Sequence, residues 1–563
     1  MIRLSLSCSQ SMPGAFPLCK TSDQVSRNRN MGLVGDITAP ERAREMRIVV
    51  ECALRPASGD DGLAEILHGT ITAWSVTALL PDDENLWLVS GQVPNRVGTA
   101  GYARAAHTLV QQILDLGVVS RAEADLPVRP IADTGHSAGT TVPVTEGCTP
   151  GSADSSWARD AIRCEEAWAV PLVPGGAARG AGVLIGHPDT GYTLHPNLGA
   201  EALDLSKDWD FISDDDDARD PLVAPDESPW PLVYPGHGTG TASILAGRGN
   251  EEQGIVGVAP EATLVPIRAV ESVVQLFDTD VARSVAHARA TGCQVISISL
   301  GGKGFFGLQA EIQRAVDDGI IVLAAAGNQV GIVVAPASYP NCLAVAATGV
   351  DDQPWPESSR GRAVDVSAPG WCVWAAAYRW DDGEPVAVVR RASGTSYAVA
   401  HVAGVAALWL AHHGPTMLRD RYGPQVQAAF LKVLTSQGVR VPPGWNARKW
   451  GAGIVDAAAL LAAPLPERAE LGRASAAGDS ALARLSALVN LDERTFESAL
   501  SRHLHLDGDA LSLTLARFEG ELAFHLLEQP GFRARLLAVP GNAQLDTEAT
   551  QTTCSPGFAR TFL

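Results

Sequence analysis

The sequence predicts an α/β fold whose main unit is a parallel sheet with helices on both faces. Two observations predict it: short apolar runs recur along the chain, and amphipathic segments separate them. The apolar runs occupy residues 182–185, 263–269, 294–300 and 320–326, with helical spacing at 278–290 and 307–318. Apolar strands alternating with amphipathic helices are typical of a parallel sheet that is buried on both sides.

A smaller α/β domain is predicted ahead of this unit, over residues 46–131. Its strands are expected at 46–54, 70–80, 85–93 and 122–131. Residues 100–116 have helical spacing, because Ala105, Leu109, Ile113 and Leu116 fall on one side. Residues 1–45 are predicted to be a disordered extension, with a true start at Met31 or Met46 as one interpretation.

A linker and a helical region complete the predicted organisation. Residues 132–156 are rich in Thr, Pro, Gly and Ser, which is typical of a linker. The main α/β unit is predicted over 157–463 and a helical C-terminal appendage over 464–563. Helices are expected at 476–489, 493–504 and 513–527, and the polar end from Gly541 is expected to be loose.

Composition excludes several classes of partner. Among 563 residues, 43 are basic and 63 are acidic, which gives a net charge of −20. Nucleic acids and anionic membranes need a basic face, so neither is an expected partner. No apolar run approaches the roughly 18–20 residues that cross a bilayer. No convincing signal peptide is present in the printed sequence, and the compartment is left open.

Nine cysteines are spread thinly along the chain. An odd number leaves at least one thiol unpaired within the chain, and no CxxC metal spacing occurs. The pairs Cys148–Cys164 and Cys342–Cys372 are conceivable disulfides, whereas unpaired, partly buried thiols are the simpler expectation.

Three polar segments could carry chemistry, in the chain order acid, base, nucleophile. Asp189, in Asp-Thr-Gly, follows a predicted strand and so lies where α/β sheets place active sites. His237 precedes small residues with helical spacing. Ser396 opens an apolar helix, and the dipole of that helix favours negative charge beside the hydroxyl.

A second Asp-Thr-Gly motif, at Asp133, offers an alternative. Two such motifs are typical of aspartic peptidases, in which paired carboxylates share one proton. Asp133 lies in the polar linker, however, and alternating β and α segments are the wrong scaffold for that class. Asp133 is therefore interpreted as a loop residue.

Together, the three segments resemble the subtilisin-like serine peptidases (subtilases) from about Trp157 to Ala463. The resemblance implies that Asp189 orients His237, that His237 exchanges a proton with Ser396, and that Ser396 attacks the scissile carbonyl. It implies serine endopeptidase activity on polypeptides through an acyl-enzyme intermediate. A catalytically silent peptide-binding protein and a peptide acyl-transferase on the same fold are the alternatives.

Further segments fit the resemblance. His195-Pro-Asn-Leu198 matches the family's usual motif and favours Asp189 over Asp133. Asn328, at the end of a predicted strand, matches the oxyanion-hole amide. The substrate-pairing edge would comprise Ser299, Leu300, Gly301 and Gly302, and Val334 would lie at the base of the first specificity pocket. An apolar Val334 favours an apolar substrate side chain.

The sequence also departs from the family pattern. Tyr397-Ala-Val-Ala-His401 stands where the family's usual segment contains a proline, so that proline is missing here. Gly240 stands where a second histidine is common. Neither change removes a proton donor or acceptor from the expected mechanism. His401 is interpreted as a packed structural residue, and His287 is expected on a helix surface. His187 and His195 lie on either side of Asp189, but neither opens a helix of small residues as His237 does.

No cofactor is required for the expected chemistry, but structural calcium is possible. The acidic insert 213–220 could bind calcium through carboxylates, although a solvated loop is the plainer interpretation. Asn250 resembles part of the family's calcium-binding loop. Residues 46–131 resemble, in element order and size, the propeptides that chaperone and then inhibit subtilases, so this domain is an expected inhibitor of the enzyme.

Overall fold

The structure, a computed structural model, describes most of the chain. The described residues are 45–51, 72–94, 99–117, 119–127, 148, 150–224, 234–249, 254–271, 273, 277–471, 480–537 and 548–563. The predicted extension 1–45 (apart from residue 45), Asp133, Asn250 and most of the linker 132–156 lie outside them.

The N-terminal module (residues 45–127) is a small sheet with one helix. Its elements are β1 (Glu45–Glu51), β2 (Thr72–Ala78), β3 (Leu86–Gln92), α1 (Ala100–Asp115) and β4 (Arg121–Ala124). The strands are antiparallel in the order β2-β3-β1-β4. Side chains on β1 alternate: Ile48 and Val50 pack with α1, whereas Val49 packs against the main unit.

The main unit (residues 148–471) contains a nine-stranded sheet within the described residues. Its strands are β5 (Leu184–Asp189), β6 (Trp209–Asp210), β7 (Thr263–Arg268), β8 (Val295–Ile298), β9 (Ile321–Ala325), β10 (Leu343–Thr348), β11 (Val364–Pro369), β14 (Val439–Arg440) and β15 (Ile454–Val455). They lie in the order β14-β15-β11-β10-β9-β8-β5-β7-β6, and every pair except β14-β15 is parallel. A separate hairpin comprises β12 (Val373–Asp381) and β13 (Glu384–Ala392).

Helices cover both faces of this sheet. They are α2 (Trp157–Ala161), α3 (Cys164–Trp168), α4 (His237–Ala246), α5 (Asp278–Ala290), α6 (Phe306–Asp317), α7 (Thr395–His413), α8 (Pro415–Tyr422), α9 (Val426–Ser436), α10 (Ala447–Trp450) and α11 (Ala457–Ala462). On β9, Leu323 belongs to the core shared with α4 and α7, whereas Val322 belongs to the core shared with α5 and α6. The predicted fold class is confirmed.

The C-terminal helices (residues 480–563) are α12 (Ala481–Leu488), α13 (Glu493–Leu504), α14 (Gly508–Glu528), α15 (Pro530–Leu537), α16 (Glu548–Thr553) and α17 (Pro556–Phe562). The expectation of a loose end from Gly541 is wrong for residues 548–563, because Phe558 and Phe562 are fully buried beside Phe518. Two phenylalanines four residues apart give this otherwise polar segment one apolar face.

Two further expectations are wrong. The disulfide joins Cys148 to Cys372, while Cys164 and Cys342 are free and buried, so neither conceivable pair forms. His287 is buried: Nε2 lies 2.7 Å from the carbonyl oxygen of Lys207, and the ring packs near two aromatic rings of the β6 region. Among the described residues, no helix combines the length and hydropathy that a membrane crossing requires.

Candidate active site

Asp189 and His237 meet at the carboxyl end of the central sheet. Asp189 is the last residue of β5, and His237 is the first residue of α4. Oδ1 of Asp189 lies 2.6 Å from Nδ1 of His237, and both side chains are buried. The carboxylate also accepts hydrogen bonds from the Thr190 amide at 2.7 Å and the Thr241 hydroxyl at 3.2 Å. A carboxylate can only accept, so Nδ1 of His237 is the donor.

The environment keeps Asp189 ionised. Burial by itself raises the pKa of this carboxyl, but the charge of His237 and its hydrogen bond lower the pKa. The net result is a pKa of Asp189 below its ordinary value. An ionised Asp189 can stabilise a positive charge that develops on His237.

A glycine lets α4 approach the end of β5. A Cβ atom on Gly238 would lie 2.2 Å from the carbonyl oxygen of Gly191 and 3.1 Å from Cβ of Asp189. Any larger residue at position 238 would therefore push His237 away from Asp189. The absence of a side chain at Gly238 therefore allows the contact between His237 and Asp189.

Helix α7 carries Ser396 at its second position and brings it beside α4. The ring of the next residue, Tyr397, lies 6.2 Å from the ring of His237. Oγ of Ser396 donates a hydrogen bond to the Ser299 carbonyl at 3.1 Å, and Oγ of Ser299 donates to the Ser396 carbonyl at 3.1 Å. Within the described residues, Ser396 and His237 share no hydrogen bond in this conformation.

Asn328 follows β9 and faces the start of α7. Its Oδ1 accepts hydrogen bonds from the backbone amide of Thr395 at 2.9 Å and from the Thr395 hydroxyl at 2.8 Å. These two donors fix the orientation of the side-chain amide. Its NH₂ group therefore remains as a donor next to the turn that contains Ser396.

The segment after β8 forms the predicted substrate edge. Gly302 pairs with Ala335 through two backbone hydrogen bonds of 2.9 and 3.1 Å. A Cβ on Gly301 would lie 2.3 Å from a methyl group of Val334, so Gly301 is in close contact with the predicted pocket residue. Val334 is buried in an apolar cluster with α12 and α14. The C-terminal helices therefore lie against the predicted specificity pocket.

Other histidines near the site have structural contacts. His401 is held inside α7, with Nδ1 2.8 Å from the Tyr397 carbonyl, and burial lowers its pKa to about 4. Nε2 of His195 lies 3.1 Å from the Val388 carbonyl. His187 is buried, with Nε2 3.0 Å from the Thr241 hydroxyl.

Sequence reasoning missed Asp220. Its Oδ2 accepts hydrogen bonds from the Thr190 hydroxyl at 2.7 Å and the Gly236 amide at 2.9 Å, so it connects the residue after Asp189 to the residue before His237. The acidic run suggested a solvated loop, but Asp220 is 7% exposed whereas Asp214 and Asp216 are exposed. No local sequence signal separates Asp220 from its neighbours.

The acidic insert does not bring three carboxylates together within the described residues. Two carboxylates that precede the insert have partners within the protein: Asp208 accepts a hydrogen bond from the Ala218 amide, and Asp210 pairs with Arg268 at 2.7 Å. Calcium binding at the insert stays a prediction.

Comparisons with known proteins decide the family. The family model described as the subtilase family matches residues 180–433. Thermitase from Thermoactinomyces vulgaris is 35% identical over 250 residues, which cover 44% of this chain and 79% of thermitase. The chain belongs to the subtilase family. It is a serine endopeptidase of that family, as the sequence predicted.

Other proteins match over different shares of their length. The extracellular protease of Xanthomonas campestris pv. campestris is 33% identical over 316 residues, and the chain spans about half (52%) of that relative. The crystal structure of MycP1 from Mycobacterium smegmatis is 25% identical, covers 61% of this chain and 90% of MycP1, and has a TM-score of 0.44.

Proposed function

We propose that this subtilase hydrolyses peptide bonds with Asp189, His237 and Ser396 as a catalytic triad. The observation that carries the proposal is the 2.6 Å hydrogen bond between Nδ1 of His237 and Oδ1 of Asp189. This bond leaves Nε2 of His237 free to accept a proton. The packing of α4 beside α7 supports Ser396 as the donor of that proton.

The proposed reaction has two stages. Rotation of the Ser396 side chain moves its hydroxyl from the Ser299 carbonyl to Nε2 of His237. Oγ then attacks the scissile carbonyl carbon while its proton passes to Nε2. The C–N bond breaks as His237 returns that proton to the leaving amine, and a water molecule releases the acyl group by the reverse sequence.

Asn328 is the proposed side-chain donor to the oxyanion. Its NH₂ group is oriented by Thr395, and the backbone N–H of Ser396 at the start of α7 is the proposed second donor. Donors fixed before the reaction stabilise the tetrahedral intermediate without reorganising, which is worth about 3–4 kcal/mol for one donor.

The segment Ser299–Gly302 is the proposed binding edge for an extended polypeptide, with Val334 favouring an apolar side chain. Gly302 already pairs with Ala335, whereas Gly301 has no side chain to hold another backbone away. We therefore expect polypeptide substrates with an apolar residue before the cleaved bond.

The N-terminal module is the proposed intramolecular inhibitor. Arg47 pairs with Asp280 on α5 at 2.7 Å, and both groups are buried. Asp125, after β4, accepts hydrogen bonds from the backbone amides of Asp278 and Thr279 at the start of α5. Cleavage within the predicted linker 132–156, ahead of Cys148, would release the module. Mass spectrometry tests this: an active enzyme with an intact N-terminus would contradict it.

Labelling with a fluorophosphonate tests the triad and its alternatives. The parent chain and Ser436→Ala, an exposed serine on α9, should label, whereas Ser396→Ala should not. A folded parent chain that fails to label under activating conditions would favour the silent peptide-binding alternative. Product analysis with an added amine separates hydrolysis from acyl transfer.

A further inference from the structure

Three buried side chains meet where the N-terminal module touches the C-terminal helices. His107 lies on α1, whereas Glu521 and His525 lie one turn apart on α14. They are 2%, 5% and 0% exposed. Each can offer one ligand atom such that the three atoms lie within 4.8 Å of one another.

His525 has no hydrogen-bond partner for either ring nitrogen among the described residues. Its ring packs among aromatic side chains. The centre of the ring lies 4.8 Å from the ring centre of Phe558 and 5.9 Å from that of Phe532. Buried polar atoms are almost always satisfied, because leaving them without a partner costs free energy. An imidazole buried in this way therefore indicates a ligand that binds between these side chains.

The other two side chains are held in place. Nδ1 of His107 lies 3.1 Å from the Thr553 carbonyl and 3.7 Å from Oε1 of Glu521. A hydrogen bond to the carbonyl makes Nδ1 the donor, and Nε2 is an acceptor without a hydrogen-bond partner among the described residues. The Glu521 carboxylate accepts from the backbone amide of Ser555 at 2.6 Å and from its hydroxyl at 2.9 Å. Outer hydrogen bonds of this kind orient the ligands of metal sites.

We propose that His107, Glu521 and His525 bind one zinc ion. Two imidazoles and one carboxylate form a donor set that suits zinc and leaves a fourth position for water. Calcium and magnesium prefer oxygen ligands and fit this set less well.

The ion would fasten the N-terminal module to the C-terminal helices, since each side supplies ligands. Loss of the module would remove His107 and weaken zinc binding. By linkage, bound zinc favours the docked module. The zinc site itself does not depend on the proposed catalytic mechanism.

Metal content of the full chain tests the proposal. The Ser396→Ala background limits self-cleavage, and the protein is loaded with zinc, dialysed and analysed by plasma mass spectrometry. We expect about one zinc per chain. His505→Asn is the control and should retain the zinc, because His505 is exposed and lies outside the cluster. His525→Phe keeps an aromatic ring but should lose the zinc, and Glu521→Gln should weaken binding at least tenfold.

Hydrogen exchange supplies a readout that is independent of activity. A chelator should increase exchange in α1 and α14 of the zinc-loaded protein and leave His525→Phe unchanged. Failure of the parent chain to bind zinc, or equal zinc in the parent and folded His525→Phe, would overturn the proposal. A parent chain that the fluorophosphonate does not label but that still binds zinc would contradict only the proposed triad.

Discussion

The side chains of Asp189 and His237 form a buried pair in which Oδ1 and Nδ1 are 2.6 Å apart. Because the carboxylate is the acceptor, the imidazole is held in the tautomer that presents a basic Nε2. This pair requires an ionised carboxylate, which is the state that the lowered pKa of Asp189 maintains.

Asp189→Asn should therefore lower kcat by about 10⁴-fold with little change in KM, because an amide at this position favours the wrong imidazole tautomer. Steady-state kinetics on a peptide substrate provides the measurement. Asp381→Asn, at an exposed hairpin position, is the matched control and should behave as the parent. A loss smaller than tenfold would contradict the role given to Asp189.

Asn328→Ala should lower kcat by about 10²–10³-fold, which corresponds to about 3–4 kcal/mol of transition-state stabilisation. KM should change little, because the oxyanion forms only after substrate binds. Gln329→Ala removes an exposed amide that contacts Glu357 and should leave kcat unchanged. Equal effects of the two substitutions on kcat would count against the oxyanion role.

Asp220→Ala should lower kcat by roughly 10–100-fold, because Asp220 positions Thr190 and Gly236 on either side of the Asp189–His237 pair. Asp220→Asn keeps an acceptor oxygen and should recover most of the activity. Asp217→Ala, an exposed carboxylate in the same loop, is the control. Unchanged kcat in Asp220→Ala would show that the pair is positioned without it.

Docking of the N-terminal module should weaken as pH rises. Burial raises the pKa of Asp278 from 3.8 to about 7, with Lys303 opposing and Asp125 adding to the shift. Asp125 and Glu123 belong to the module, so their negative charges raise the pKa of Asp278 in the docked state relative to the free state. The docked state therefore binds this proton more tightly, and this contribution to docking is lost as the pH rises through about 7.

Limited proteolysis or hydrogen exchange of β1 and α1 at pH 5 and pH 7.5 measures this docking. In zinc-free protein, protection should be greater at pH 5. Asp278→Asn carries no charge at either pH and should reduce the difference, whereas Asp318→Asn on the surface beyond α6 should not. Greater protection at pH 7.5 would contradict the predicted direction.

The sequence predicts the helices and strands whose apolar residues repeat with a regular spacing. The helix at 493–504 and four of the nine strands of the central sheet (β5, β7, β8 and β9) follow from apolar spacing, and the structure places them within a few residues of the predicted bounds. Phe558 and Phe562 form a helix within a polar segment because distant rings cover them. The burial of His287 likewise depends on β6, which is far away in sequence.

In the candidate site, too, some residues follow from short motifs, whereas others depend on contacts between distant segments. The joint occurrence and order of the motifs predicted Asp189, His237, Ser396 and Asn328 as site residues, because each motif can be recognised in a short stretch of sequence. The role of Asp220 depends on two backbone segments that only the folded chain brings together. The pairing of Cys148 with Cys372 spans 224 residues, and no spacing rule selects it.

The position of that disulfide affects what would follow maturation. Cys148 lies after residues 132–147 of the predicted linker, so a cut there would separate the N-terminal module but leave Cys148 bonded to Cys372, the residue before β12. The disulfide would therefore tether the new amino-terminal segment to the body of the enzyme after the module has left.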